Sequence, residues 1–153
     1  MSETLEQFCR RFDCKAPQAK PTTHDYSLVT DQLRSTLRQI PAQATSAGLA
    51  LGRSGTRFTP TPALLTLLAT KTNQKAIVND KGAWLFICGR DILEASITHC
   101  ADHGDVIILT TRGEAIGWGT VQTKNGKRLI KNRFDIGDYL RREDRTSAWT
   151  SNA

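Results

Sequence analysis

"DVIILTTRGEAIGWGTVQTKNGKRLIKNRF", residues 105–134, decides how this chain folds. Two short polar breaks separate three apolar or alternating runs. The first break, Arg112–Gly113–Glu114, reads as a turn. The second, Asn125–Gly126, is a strong hairpin signal, because a type I′ turn needs positive φ at both central residues. Short strands at regular spacing, with turn signals between them, predict a small barrel or sandwich. Inside the middle run Gly117 and Gly119 flank Trp118, which predicts a sharp bend or a close backbone approach.

The same texture extends to either side. "KAIVND" (75–80), "AWLFICG" (83–89) and "IGDYL" (136–140) read as further short strands, and Asn79–Asp80–Lys81–Gly82 as a turn. Before about residue 74 helical periods take over. Leu5, Phe8, Cys9 and Phe12 share one helical face, with Ser2 or Thr4 as cap. "KAPQAKPTTHD" (15–25) reads as a loop. Thr30 caps a second helix whose Leu33, Leu37 and Ile40 repeat at helical spacing until Pro41 ends it. "AGLALG" (47–52) reads as a strand. Thr61 caps a third helix with Pro62 at its first position, where the missing N–H costs nothing. Its Leu64, Leu65, Leu67 and Leu68 give a wide apolar face. The predicted fold is therefore α+β: an α/β domain over residues 1–74, a β-rich domain over 75–146, and a frayed tail over 147–153.

At 153 residues the chain is long enough to bury a core without staples, and its composition, 39% hydrophobic and 24% charged, is that of a globular protein. No apolar run approaches a membrane helix, and "MSETLEQFCRRF" lacks a signal-peptide pattern, so the chain is expected to stay where it is made. Cys9, Cys14, Cys88 and Cys100 form no CxxC pair, and Cys88, in an apolar run, reads as a small core residue. His99 and His103 lie four apart in "THCADHGD", but the glycine and the apolar run that follow mark a polar loop leading into a strand rather than a metal-binding helix face. No HExxH, GxSxG or P-loop is present, and the glycine-rich stretches lack dinucleotide spacing. No catalytic residue, metal or cofactor is expected.

Charge is more informative. The net charge is +6, which favours an acidic partner such as nucleic acid. Lys124, Lys127, Arg128, Lys131 and Arg133 fall within ten residues that contain no acid. On a hairpin these cations form either a phosphate-contact surface or lysines that guard a sheet edge.

"IVNDKGAWLFICGRDILEASI" and "GDVIILTTRGEAIGWGTV" together resemble a PUA domain, the compact β-pseudobarrel of RNA-binding proteins. In that pattern an opening strand leads to a Gly-Ala turn, a short helix, a glycine and a second strand. With "LALGRSGTRFTPTPALLTLLA" before it and "FDIGDYLRRED" at its end, the chain resembles the Nip-seven family of archaeal and eukaryotic ribosome-biogenesis proteins, as a divergent, archaeal-type member. The resemblance runs from about Tyr26 to Arg145 and is weak before that.

The resemblance implies a PUA-like C-terminal domain and RNA binding in maturation of the large ribosomal subunit. It also implies a basic cluster at the closing segment, falling here on Arg141 and Arg142 and continued by Arg145. Glu143 and Asp144 stand ready to pair with these arginines when RNA is absent. Within the closing segment Ile136 and Leu140 are expected to point inward, with Gly137 easing a bend. Trp118 and Tyr139 read as core aromatics more than as stacking platforms. The implied compartment is the cytoplasm for an archaeal protein and the nucleolus or nucleus for a eukaryotic one. Two other readings stand beside this one. The chain is an adaptor that docks RNA-processing proteins through its leucine-rich first half, or it is the RNA-gripping accessory of a modifying enzyme.

Overall fold

The computed structural model describes residues 1–41, 47–138 and 141. Tyr139, Leu140, Arg142, Glu143, Asp144, Arg145 and the tail from 147 onward lie outside the described residues.

The first half holds α1 (Leu5–Arg10), β1 (Lys20–Pro21), β2 (Asp25–Leu28), α2 (Asp31–Gln39), β3 (Leu49–Arg53), β4 (Thr59–Pro60) and α3 (Pro62–Ala69). The second holds β5 (Lys75–Val78), α4 (Asp80–Ile87), β6 (Ile92–Leu93), a 3₁₀ turn (Glu94–Ser96), β7 (Ile97–Cys100), β8 (Gly104–Leu109), β9 (Ala115–Lys124) and β10 (Lys127–Asp135). The first-half strands form one antiparallel sheet in chain order. The others form a curled six-stranded sheet in the order β6-β10-β9-β8-β5-β7. The α+β class is as read from the sequence, and the second half has a PUA-like half-barrel.

Local chemistry starts each helix. Thr4 accepts from the Gln7 N–H while Gln7 reaches back to the Thr4 N–H, a complete capping box. Thr30 and Thr61 accept from the Leu33 and Leu64 N–H groups. Asn125 and Gly126 both take positive φ, 54° and 75°, so the β9–β10 turn is the one the dipeptide predicts. A Cβ on Gly117 would overlap the Phe134 carbonyl oxygen, and one on Gly119 would lie 2.5 Å from the Lys131 oxygen. The two glycines therefore let β10 cross closely behind β9, which curls the sheet.

Two apolar clusters hold the molecule. One fills the half-barrel with Ala76, Val78, Phe86, Ile92, Val106, Ile108, Ile116 and Ile130. The other joins the two halves: Phe8 of α1, Phe12 in the turn after it, Leu51, Phe58 and the α3 leucines pack against Ile107, Leu109 and Trp118. Successive β8 residues thus enter different clusters, and a strand buried on both faces reads as an unbroken apolar run. Phe8 sits at the centre, with ring centroids 5.0 Å from Phe58, 5.2 Å from Phe12 and 5.6 Å from Trp118. Trp118 is buried, the core role expected of it.

Several local expectations need correction. "AWLFICG" is not a strand: Asn79 accepts from the Gly82 N–H and caps α4, the short helix that the PUA resemblance implies, so the supposed turn at 79–82 is its first turn. Cys88 follows its last turn and is exposed, not core. Ala83 and Phe86 face inward, a helical spacing that the continuous apolar run conceals. Residues 15–25 are not all loop, since Lys20–Pro21 pairs with β2. Ile97–Cys100 pairs with β5 before the His103 loop begins. The start of "IGDYL" does not continue the barrel strand: β10 ends at Asp135, and Gly137 and Asp138 are helical, as is Arg141. Ile136 does pack against the half-barrel cluster. The apolar side of α2 is only half covered, and Ile40 is exposed.

Thiol reactivity follows burial. Burial, aided by nearby Cys14, pushes the Cys9 thiol up to about 12, and burial also raises that of Cys100. Only the thiolate reacts. Brief alkylation of native protein at pH 8 is therefore expected to modify Cys88 first, and Cys9 only after denaturation, as read by peptide mass spectrometry.

Candidate nucleic-acid interface

The hairpin sets the geometry. Lys127 lies opposite Lys124, Leu129 opposite Gln122 and opposite Leu93 on the other side, and Lys131 opposite Thr120. Directly opposed residues share a sheet face, and so do residues two apart in a strand. Lys124, Lys127, Leu129, Lys131 and Leu93 therefore lie on one outer face, while Ile130 and Ile92 point into the core. Arg133 joins this outer face, since its Nε–H donates to the Thr120 hydroxyl at 3.0 Å. Lys127, Lys131 and Arg133 are thus strung along β10, four and then two residues apart, or roughly 13 and 6.6 Å, with Lys124 on β9 opposite the first.

Their partners differ. The side chains of Lys124 and Lys127 have no hydrogen-bond or ion-pair partner among the described residues. Like charges directly opposite each other in a hairpin destabilise it unless something neutralises them. Lys131 reaches Asp91 at 3.1 Å, and the same carboxylate accepts from the Asn132 N–H at 2.9 Å. Arg128 points the other way, toward Asp102 at 3.5 Å, with its backbone N–H on Glu94. β10 lies between β6 and β9, so the sheet's edges are β6 and β7. Yet β6 covers only Leu129 and Ile130 of β10 and β8 reaches only as far as Val121 of β9, so the tip that carries Lys124 and Lys127 projects beyond its neighbouring strands.

Three depressions flank this lane, one of them, of about 580 Å³, at the hairpin itself between Leu93, Glu94, Lys124, Lys127 and Arg128. A groove of about 580 Å³ between α4 and β6 is lined by Lys81, Leu85, Arg90, Asp91, Leu93 and Lys131 among others. A smaller cleft of about 280 Å³ lies at the seam between the halves, lined by Arg57, Phe58, Trp118, Arg133, Asp135 and Arg141 among others. Lys81, Arg90 and Arg57 were missed by the sequence reading. Lys81 and Arg90 bracket α4, and reading that segment as a strand hid that its two ends face one groove.

Arg141 has a structural task. Its guanidinium donates to both oxygens of Asp135, at 3.0 and 3.1 Å, and to the Ile87 carbonyl at the end of α4, at 2.9 Å. The Asp135 side chain is 5% exposed and that of Arg141 46%. The arginine thus clamps the segment after β10 onto α4, and its partner is Asp135. Arg142 and Arg145, and the acids Glu143 and Asp144, fall outside the described residues. The hairpin cations and Arg141 stand at different places on the half-barrel, joined by the seam cleft.

Among the described residues no group of His, Cys, Asp and Glu side chains is placed to hold a metal, and no helix is long and apolar enough to cross a membrane. His99 lies in β7 opposite Ile77.

Comparison with known proteins gives consistent matches. Residues 74–144 match the UPF0113 PUA domain family. A UPF0113 protein of Aeropyrum pernix is 34% identical over 116 residues, covering 72% of this chain and 64% of that protein. A UPF0113 protein of Archaeoglobus fulgidus is 26% identical over 108 residues, covering 63% and 62%. The chain thus spans less than two thirds of the length of either relative.

Proposed function

We propose, from the match of residues 74–144 to a PUA domain, that this chain is a non-catalytic RNA-binding protein. Lys124 of β9 and Lys127, Lys131 and Arg133 of β10 would neutralise phosphates along the outer face of the hairpin, with Arg128 at the base of the turn. Arg141, Arg142 and Arg145 would extend the contact past the seam cleft, Arg141 using the part of its side chain that Asp135 leaves exposed. The observation that carries the reading is the pair of opposed, unpartnered lysines at the hairpin tip, a local repulsion that a bound polyanion relieves. Arginine's rigid fork suits bidentate phosphate contact and lysine acts as a point charge. Single-stranded or looped RNA is the expected substrate, because its bases are accessible.

The finer assignment follows the Nip-seven resemblance: maturation of ribosomal RNA for the large subunit, alongside other assembly proteins. Crosslinking the protein to RNA in cells should recover precursor ribosomal RNA, and recovery of other RNA alone would overturn this pathway. In vitro, affinity for a single-stranded oligoribonucleotide should fall with added salt by about 0.7 log units per phosphate contact for each log unit of salt.

A second reading, a protein-docking adaptor, draws on the exposed Ile40 and Leu49 in the first half. Co-purification of a protein from nuclease-treated extract, with no RNA binding by the isolated chain, favours it.

A further inference from the structure

Trp84 is 67% exposed and Leu93 66%, in a molecule whose other described tryptophan is buried. An indole presents the largest apolar surface of any side chain and is seldom left in water without a partner. Its place on α4 explains the exposure. Gly82, Ala83 and Phe86 turn inward, so Lys81, Trp84, Leu85 and Cys88, at three- and four-residue spacing, share the outward face. Lys81 and Leu85, on the same side of Trp84 around the helix, line the groove that Arg90 and Lys131 also border, and Trp84 stands on the flank of α4 next to it. The acid in that groove, Asp91, is already engaged by Lys131 and the Asn132 N–H.

An exposed ring beside a cation-rimmed groove suits a strand of stacked bases linked by phosphates better than a protein surface. A protein partner matched to Trp84 and Leu93 would leave Lys81 and Arg90 to be desolvated unpaired unless it carried acids. A duplex keeps its base faces stacked on each other and cannot offer one to an indole.

Resting on the RNA-binding reading above, we propose that Trp84 is a base-stacking platform: a single-stranded RNA crosses α4 with one base lying on the indole and its flanking phosphates on Lys81 and Arg90. Stacking of this kind tolerates any base, since every base has a π-face. The site thus adds affinity and strand-type preference with little sequence preference.

The test uses the full chain with Trp149→Phe, so that Trp84 and the buried Trp118 are the only emitters. Titration with a 12-nucleotide single-stranded oligoribonucleotide is expected to quench tryptophan emission. Adding Trp84→Ala should abolish the quench, weaken binding about tenfold and leave the salt slope unchanged, because no phosphate contact is lost. Trp84→Phe should recover part of the affinity. The thermal melt should not move, since the side chain is exposed. Undiminished affinity of Trp84→Ala, or equal affinity for a duplex of the same length, overturns the stacking proposal while salt-dependent RNA binding stands. Absence of salt-dependent RNA binding by the Trp149→Phe protein overturns both. Capture of a protein that Trp84→Ala fails to capture, with RNA affinity unchanged, assigns the ring to a protein partner instead.

Discussion

Replacing Phe8 with alanine is expected to destabilise the protein by about 4 kcal/mol, the middle of the range for a buried phenylalanine. Phe8 has no exposed surface and touches Phe12, Phe58 and Trp118, each from a different element. Loss of the ring removes both its own burial and the shared contact of α1, the loop before β4 and β9. Those elements belong to both halves of the chain, so the space cannot close by moving one of them. A denaturant melt should show the shift, with the thermal midpoint falling by roughly 8–16 °C for a chain of this size. Because Phe8 joins the halves, an amide-exchange experiment on the variant should show lost protection in β9 as well as in α1. Loss confined to α1 would contradict the shared core.

Arg141→Ala is expected to cost about 2–3 kcal/mol, below the figure for a fully buried pair because the arginine is half exposed. Truncation leaves the Asp135 carboxylate, 5% exposed, with Asn132 as its remaining side-chain donor among the described residues. It also leaves the Ile87 carbonyl without that donor. An uncompensated carboxylate in a dry site is the expensive outcome, whereas losing both partners is milder. Asp135→Asn in the Arg141→Ala background should therefore restore part of the stability. A denaturation midpoint for the double variant no higher than for Arg141→Ala would show that the clamp is not electrostatic. Arg141 is also a poor probe of RNA binding, since its removal disturbs α4 and the segment after β10 together.

The parts of the fold that were legible in the sequence are those written in local chemistry. Thr4, Thr30 and Thr61 cap helices because their hydroxyls satisfy N–H groups three residues on, and Asn125–Gly126 makes the one turn that twists with the strands. The errors lie where burial erased the period. "AWLFIC" is apolar throughout, so its helix has no polar stripe to betray it, and only the Asn79 cap distinguishes it from a strand. "DYSL" (25–28) does alternate, with Tyr26 and Leu28 against the core, but four residues after a proline-bearing polar stretch are too few to mark a strand.

The site was legible in its charge and less so in its geometry. The five cations from Lys124 to Arg133 stand out in sequence, but which of them lie unpartnered depends on Asp91, Glu94 and Asp102, which lie far away along the chain. Likewise the closing arginines looked like one surface cluster, yet Arg141 turns back onto Asp135, a partner six residues earlier that only the end of β10 brings within reach.

The central claim, that the β9–β10 hairpin neutralises RNA phosphates, is tested most directly by salt titration of RNA binding. Wild-type protein and the Lys124→Glu, Lys127→Glu variant would be compared with the same single-stranded oligoribonucleotide. Both side chains are exposed and without partners among the described residues, and two opposed glutamates repel about as two opposed lysines do, so the fold should survive with an unchanged melt. The account predicts weaker binding and a log–log salt slope shallower by about 1.4, two lost contacts at roughly 0.7 each. A variant that binds with wild-type affinity and wild-type slope would contradict it.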